Sequence, residues 1–276
     1  MIVRLGCVIL TITLGCSSSG RTGSADLAGT GTHVGNGSVS LFQAPRMPSG
    51  MAVIASASFR RDSGTQPAIP CTTQTVAGCA ARSCTVIQDL GVAPPIDPVS
   101  AGVVTVGGGS APVMIVPASD NTYASTSAAD LWHGGAGESL TATAPGGVAP
   151  GFTIMIMAPD VVSFTAPSGP VMLPSGQDLV LSTMSTDTIT VGYNIIFDQS
   201  MPVTTLDVTC SLTAAGGTVT VPGAALALAP KGKTFSVAAS ITSSSRIDLS
   251  GWTISFAATS AASFPGQLAA VPVTLQ

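Results

Sequence analysis

The chain has 276 residues, of which 45% are hydrophobic and only 8% charged, with nine Lys and Arg against thirteen Asp and Glu for a net charge of −4. So few basic residues, the closest grouping being Arg60-Arg61, exclude a phosphate-tracking surface and with it nucleic acid as a partner. A mean hydropathy of +0.53 is high for a soluble body, yet after residue 15 no stretch reaches the ~18 unbroken apolar residues of a spanning helix. The surface is therefore expected to be coated with the small and hydroxyl residues that dominate the composition.

Residues Met1 to Arg4 supply one positive charge, Leu5 to Leu14 a short apolar run, and Gly15-Cys16 follow directly. This is a signal-peptide layout, too short to span a bilayer. The segment Thr13-Leu14-Gly15-Cys16 resembles the lipobox of bacterial lipoproteins, although Thr13 stands where an aliphatic residue is usual. The resemblance covers residues 1–16 and says nothing of the fold. It implies that residues 1–15 are removed and that Cys16 is lipidated with palmitate-type acyl chains. It further implies that the membrane is a partner through this anchor, in the cell envelope, with Ser17 favouring the outer membrane. The plainer alternative is an ordinary secretory signal cut within Ser17-Ser18-Ser19-Gly20, with Cys16 discarded. Loss of Arg4 takes the net charge from −4 to −5, one positive charge fewer. From Ser17 onward the chain is Ser, Gly and Thr with almost nothing to bury, so residues 16–36 read as a lipidated Cys and a flexible tether.

The remaining chain is long enough for two all-β domains, expected as antiparallel, immunoglobulin-like sandwiches over residues 37–158 and 159–276. In the first half, period-two alternation marks strands at 38–43, 51–59, 83–88, 101–106, 112–116, 138–144 and 152–157. A single helical turn is expected around 127–132, and Gly107-Gly108-Gly109 reads as a turn. Prolines crowd the segment between Pro145 and Pro174, which suits a boundary or edge segments because Pro interrupts sheet pairing. In the second half the alternation is clearest at Ile189 to Ile195, Leu206 to Leu212, Phe235 to Ile241 and Trp252 to Ala258. Between them, Pro222 to Ala229 suits a short helix, with Pro near its start, and Gly232-Lys233-Thr234 reads as a turn entering a strand. A transmembrane barrel is disfavoured, since aromatics make up only 4% of the chain and such barrels carry aromatic girdles on longer strands.

Cys71, Cys79, Cys84 and Cys210 fall in the folded body. An even number in an oxidising compartment predicts disulfides, with Cys71 joined to Cys84 or Cys79. A bond from Cys210 to this cluster would tie the two halves together. Otherwise Cys210, alternating with Leu206, Val208 and Leu212, is a buried thiol. Zinc is the alternative, but neither His33 nor His133 completes a second ligand pair at suitable spacing. No metal and no cofactor is expected.

The catalytic inventory is thin. Nucleophilic hydrolysis needs a Ser or Cys beside an oriented His, and the tether takes His33, which leaves His133 alone. No Gly-x-Ser-x-Gly elbow occurs. Glycoside hydrolysis asks for two facing carboxylates, yet Glu138 is the chain's one Glu and most Asp residues sit in turn-like contexts. The one mixed constellation is Tyr123, Asp130, Trp132, His133 and Glu138. Its Trp would stack on a sugar ring while the polar groups bind hydroxyls, or else Trp132 simply plugs the end of a sandwich. These readings predict a non-enzymatic binding or structural module with a glycan or envelope protein as ligand. The alternative is an envelope hydrolase acting on polysaccharide through Asp residues and His133.

Overall fold

The computed structural model describes residues 34–45, 51–61, 70–86, 97–109, 111–124, 126–129, 131–132, 138–197, 203–266 and 269–276. Cys16 and the tether through His33 lie outside them, as do Asp130, His133 and the last two residues of the strand expected at 83–88.

The described chain is all-β with one helical turn. The strands are β1 (Gly35–Pro45), β2 (Met51–Arg61), β3 (Cys71–Val76), β4 (Cys79–Val86), β5 (Val104–Gly107), β6 (Val113–Ile115), β7 (Thr126–Ala129), β8 (Ser139–Ala144) and β9 (Phe152–Met157). They continue as β10 (Phe164–Ala166), β11 (Val171–Leu173), β12 (Leu179–Thr183), β13 (Thr188–Ile196), β14 (Val203–Thr213) and β15 (Thr218–Val221). After the helix α1 (Gly223–Leu226) come β16 (Thr234–Leu249), β17 (Trp252–Ala261) and β18 (Ala270–Leu275).

One 11-stranded sheet runs β3-β4-β14-β13-β16-β17-β1-β2-β7, with β18 on β16 and β11 on β18. A 4-stranded sheet, β6-β5-β8-β9, and a 3-stranded sheet, β10-β12-β15, complete the body. The 4-stranded sheet shares a core with β1, β2 and β17, built from Val39, Leu41, Phe59, Leu140, Ile154 and Phe256. The 3-stranded sheet shares a second core with β13, β14 and β18, built from Leu181, Val191, Val208, Val219, Phe235 and Val273. Strict alternation along the strands makes this possible: β9 reads buried at Phe152, Ile154 and Ile156 and exposed between them. Each such large apolar side chain contributes about 1.5–3 kcal/mol on burial.

Ser240 of β16 is where the two cores meet along one strand. The first five residues of β16 pair with β18, from Thr234↔Thr274 to Ala238↔Ala270, and the segment from Ser240 to Leu249 pairs with β17. The expected division at residue 158 falls between β9 and β10, but core membership is interleaved along the chain. Cys79 and Ala81 belong to the second core, and Trp252, Ile254 and Phe256 to the first.

Several local expectations change. Around residue 127 the chain forms β7 in place of a helical turn, pairing antiparallel with β2 from Ala55↔Thr126 to Ala52↔Ala129. A run of so few residues cannot hold a helical turn by itself, because nucleation is costly, and the edge of β2 offers backbone partners. The pairing is not wholly antiparallel either: β1 runs parallel to β17 and β11 parallel to β18. Strands joined by no hairpin are free to take either direction, and some two hundred residues separate Gly35 from its partner Trp252. The strand expected from Ala101 begins at Val104, because Gly102 turns with a φ of +81°.

The glycine turn after β5 is packed tightly from outside. A Cβ on Gly109 would stand 1.8 Å from the Leu131 carbonyl oxygen, and one on Gly108 would stand 1.9 Å from that of Ser139. At α1, Pro222 is the N-cap and has no side-chain hydrogen bond to give. Asp178 substitutes from a distance, its Oδ1 accepting from the Gly223 N–H at 2.7 Å, as a capping side chain would.

Candidate functional site

Of the constellation singled out in the sequence, Asp130 and His133 lie outside the described residues, and the other three members, Tyr123, Trp132 and Glu138, make structural contacts. Tyr123 is half-buried, its ring 5.4 Å from that of Phe59. Its hydroxyl donates to the Gly102 carbonyl at 2.8 Å and accepts from the Ala101 N–H at 2.9 Å, which pins the turn before β5. Trp132 is 1% exposed, within the first core. Its indole Nε1 donates to the Pro159 carbonyl at 2.9 Å, and its own carbonyl accepts from Gln43 Nε2 at 3.2 Å. Glu138 is half-buried just before β8, and its carbonyl accepts from the Ala158 N–H at 2.9 Å. A ring so enclosed has no face to lay on a sugar, so of the two readings of Trp132 the burial favours the core plug. The sequence leaves both readings open because a Trp beside polar residues looks alike there whether its ring turns inward or outward.

The cysteines form two bonds, Cys71–Cys84 and Cys79–Cys210, the second spanning 131 residues. Both disulfides act on the same hairpin. One fastens β3 to β4 and the other fastens β4 to β14, in strands that already pair. The reason is visible in the burial of β3, which is exposed from Thr72 through Thr75 on both of its faces. A strand that overhangs the core in this way has little apolar area to hold it, and covalent bonds supply what packing does not. Arg82 lies over the outer bond, its guanidinium 3.3 Å from Cys71 Sγ.

Across the rest of the large sheet the outward face is lined with hydroxyls. Thr188 pairs with Thr213 at 3.1 Å and Thr234 with Thr274 at 2.7 Å in exposed positions, and Thr242 pairs with the buried Thr259 at 2.9 Å, each across adjacent strands. Asn194 Nδ2 donates to Asp207 in the same manner. Further along, Arg246 pairs with Asp248 at 3.2 Å, and Thr253 donates to the same carboxylate oxygen at 2.7 Å. These side chains are well exposed, and such ion pairs contribute little. In the loop after β6, the Thr122 hydroxyl and N–H bond Asp120 at 2.6 and 3.0 Å and hold its carboxyl below the usual range. This face offers many hydrogen-bonding groups and little net charge. Sequence reasoning reads the hydroxyls as generic surface, although the alternation at Thr188 to Ile195 already puts Thr on one side of a strand.

Among the described residues, no group of three or more His, Cys, Asp or Glu is placed to hold a metal ion, and no helix is long and apolar enough to cross a membrane.

No family model matches the chain, and no curated protein does. Two solved structures of adhesins align over much of its length. The first comes from work on host cell surface retention of a 1.5-MDa bacterial ice-binding adhesin, with 14% identity, a TM-score of 0.16, and 82% of this chain and 75% of that chain covered. The second is from a Ca2+-stabilized adhesin with which an Antarctic bacterium reaches out and binds ice, with 15% identity, a TM-score of 0.16, and 78% of this chain and 57% of that chain covered. At that score neither structure describes this fold, and the chain stands as an all-β body with two disulfides.

Proposed function

We propose that the protein is exported and held in the cell envelope by lipid on Cys16, where its β body serves as a non-enzymatic structural or binding module. The observation that carries this reading is the pair of disulfides on the β3–β4 hairpin. Such bonds persist in oxidising compartments and are rare where glutathione keeps thiols reduced. The export layout of residues 1–16 provides the route to such a compartment.

Lipidation at Cys16 accounts for the composition of the segment after it. A Ser, Gly and Thr spacer between the anchor and β1 sets the body off the bilayer without folding against it. One acyl chain binds membranes only marginally, so durable attachment needs the several chains of a mature lipoprotein. The outer membrane is the proposed address.

For the body, the burial of Trp132 favours a structural role over sugar stacking. What the body presents is a broad, weakly charged hydroxyl face, suited to hydrogen bonding with an envelope protein or glycan. Mass spectrometry of the mature N-terminus tests the anchor: the expected result is Cys16 as residue one carrying acyl chains. An unmodified terminus beyond Cys16 reduces the proposal to secretion. Cross-linking in intact envelopes then tests the module, a reproducible macromolecular neighbour being the expected result.

A further inference from the structure

β3 ends the large sheet, and among the described residues nothing pairs with its outer side. Ala77 and Gly78 form the two-residue turn to β4, with φ values of +50° and +82°, so Val76 and Cys79 close the hairpin. In such a turn the closing pair exchanges both backbone bonds, and alternate residues then face away. Val76, Gln74 and Thr72 therefore point their N–H and C=O groups at β4, while Thr75, Thr73 and Cys71 point theirs outward. The disulfide supports this parity. Cys71 and Cys84 have a Cα–Cα distance of 4.1 Å, as expected of facing residues that exchange no backbone bonds and less than the ~5.5 Å of those that do.

We infer that this edge pairs with the same edge of a second copy of the chain, joining two large sheets antiparallel through β3. The segment Cys71-Thr72-Thr73-Gln74-Thr75-Val76 is its own complement. With Thr73 opposite Thr73 of the second copy, Cys71 faces Thr75 at both ends, and each facing pair can exchange both backbone bonds. Protein edges are usually blunted by Lys, Pro, a bulge or a cover, and β3 has neither a charged residue nor a Pro. Its composition is rich in β-branched residues that favour strands. The two disulfides keep the edge in strand form before any partner arrives, which lowers the ordering cost of association. Within the hairpin of β3 and β4 the charge is Arg82, opposite Thr73, and it meets its counterpart only across three strand spacings, about 14 Å, beyond the ~8 Å screening length at physiological salt. A facing Thr73 pair would repeat between copies the hydroxyl contact that Thr188–Thr213 and Thr234–Thr274 make within one. An interface built on one short strand falls in the small, transient class. The inference stands whether or not Cys16 is lipidated.

The test is sedimentation equilibrium of the full mature chain with amide hydrogen exchange over residues 71–76. Expected is a monomer–dimer equilibrium in which the amides of Cys71, Thr73 and Thr75 become protected as concentration rises. Thr73→Pro removes only an outward N–H, so it should weaken dimerisation by about tenfold or more and leave the melting temperature unchanged. Thr75→Lys should do the same by adding charge to the edge, which keeps the test informative if Thr73→Pro fails to fold. Thr213→Lys, on the hydroxyl face far from this edge, should leave dimerisation intact. A chain that stays monomeric, a dimer unchanged by both edge substitutions, or protection of these amides independent of concentration would each overturn the inference.

Discussion

Gln43 and Ser260 face each other in the parallel ladder of β1 and β17, are 0% and 1% exposed, and each carries a side-chain oxygen that no group among the described residues hydrogen-bonds. Gln43 at least donates from Nε2 to the Trp132 carbonyl. Ser260 Oγ does not repay its desolvation, which costs about 1–3 kcal/mol for an unsatisfied buried group. Ser260→Ala should therefore be neutral or raise stability by up to about 1 kcal/mol. Gln43→Ala should lower it by about 2–3 kcal/mol, since it opens a cavity and strips the Trp132 carbonyl of its donor. Chemical denaturation of both variants checks the opposite signs.

Trp132 is expected to behave as core. Trp132→Ala should cost about 3–5 kcal/mol. Trp132→Phe should cost less but still lose the bond to Pro159 at 2.9 Å, about 1 kcal/mol for that bond. Glycan binding measured on the folded Trp132→Phe protein should match the parent. Loss of binding without loss of stability would return this residue to a ligand-contacting role.

The two disulfides should differ in what they hold. In the chain-entropy view, a loop of 131 residues corresponds to about 5 kcal/mol and one of 13 to about 3 kcal/mol. Removing Cys79–Cys210 by a pair of Ala substitutions should lower the global melting transition, because Cys79 and Cys210 sit in the second core. Removing Cys71–Cys84 should shift the melt by less than its loop predicts, since the exposed β3 can leave the sheet without either core opening. Hydrogen exchange should then speed up over 71–76 and stay unchanged in β13 and β16.

Tyr193 gives the alkaline limit of stability. Burial pushes its hydroxyl well above the ordinary tyrosine range, and the group donates to the Ala225 carbonyl at 2.6 Å. A folded-state value above the unfolded one, about 10, means that the contribution is fully present below that pH. It is lost as pH rises through the folded-state value. Stability should decline above about pH 10, and Tyr193→Phe should flatten that decline at a cost of about 1 kcal/mol at neutral pH. Spectrophotometric titration of tyrosinate in parent and variant identifies the step, since the chain has two tyrosines.

Much of the strand content is legible in the sequence because alternation is a local signal. β9 starts and ends where the pattern does, and Pro222 marks the start of the one helical turn. The bond between Cys71 and Cys84 is one of the two pairings that spacing suggests for Cys71. What escapes the sequence is non-local. The pairing of β1 with β17 joins segments that share no turn, and nothing near residue 240 announces that one strand serves two cores. The inward turn of Trp132 is only one of two readings the sequence allows, since the Pro159 carbonyl that receives its N–H lies on a different segment. The short strands β10 and β11 sit among prolines that mask any alternation.

The shared sheet also governs the order in which the chain can assemble. β1, near the beginning, has Trp252 through Ser260 as its partners, and β16 needs β18, whose last residue is Leu275. Neither core is complete until β17 and β18 have been made, so the two cores cannot fold one after the other during synthesis, the common route for multi-domain chains. Contacts this distant in sequence imply slow folding. A shortened product lacking β17 and β18 would leave apolar faces uncovered in both cores at once.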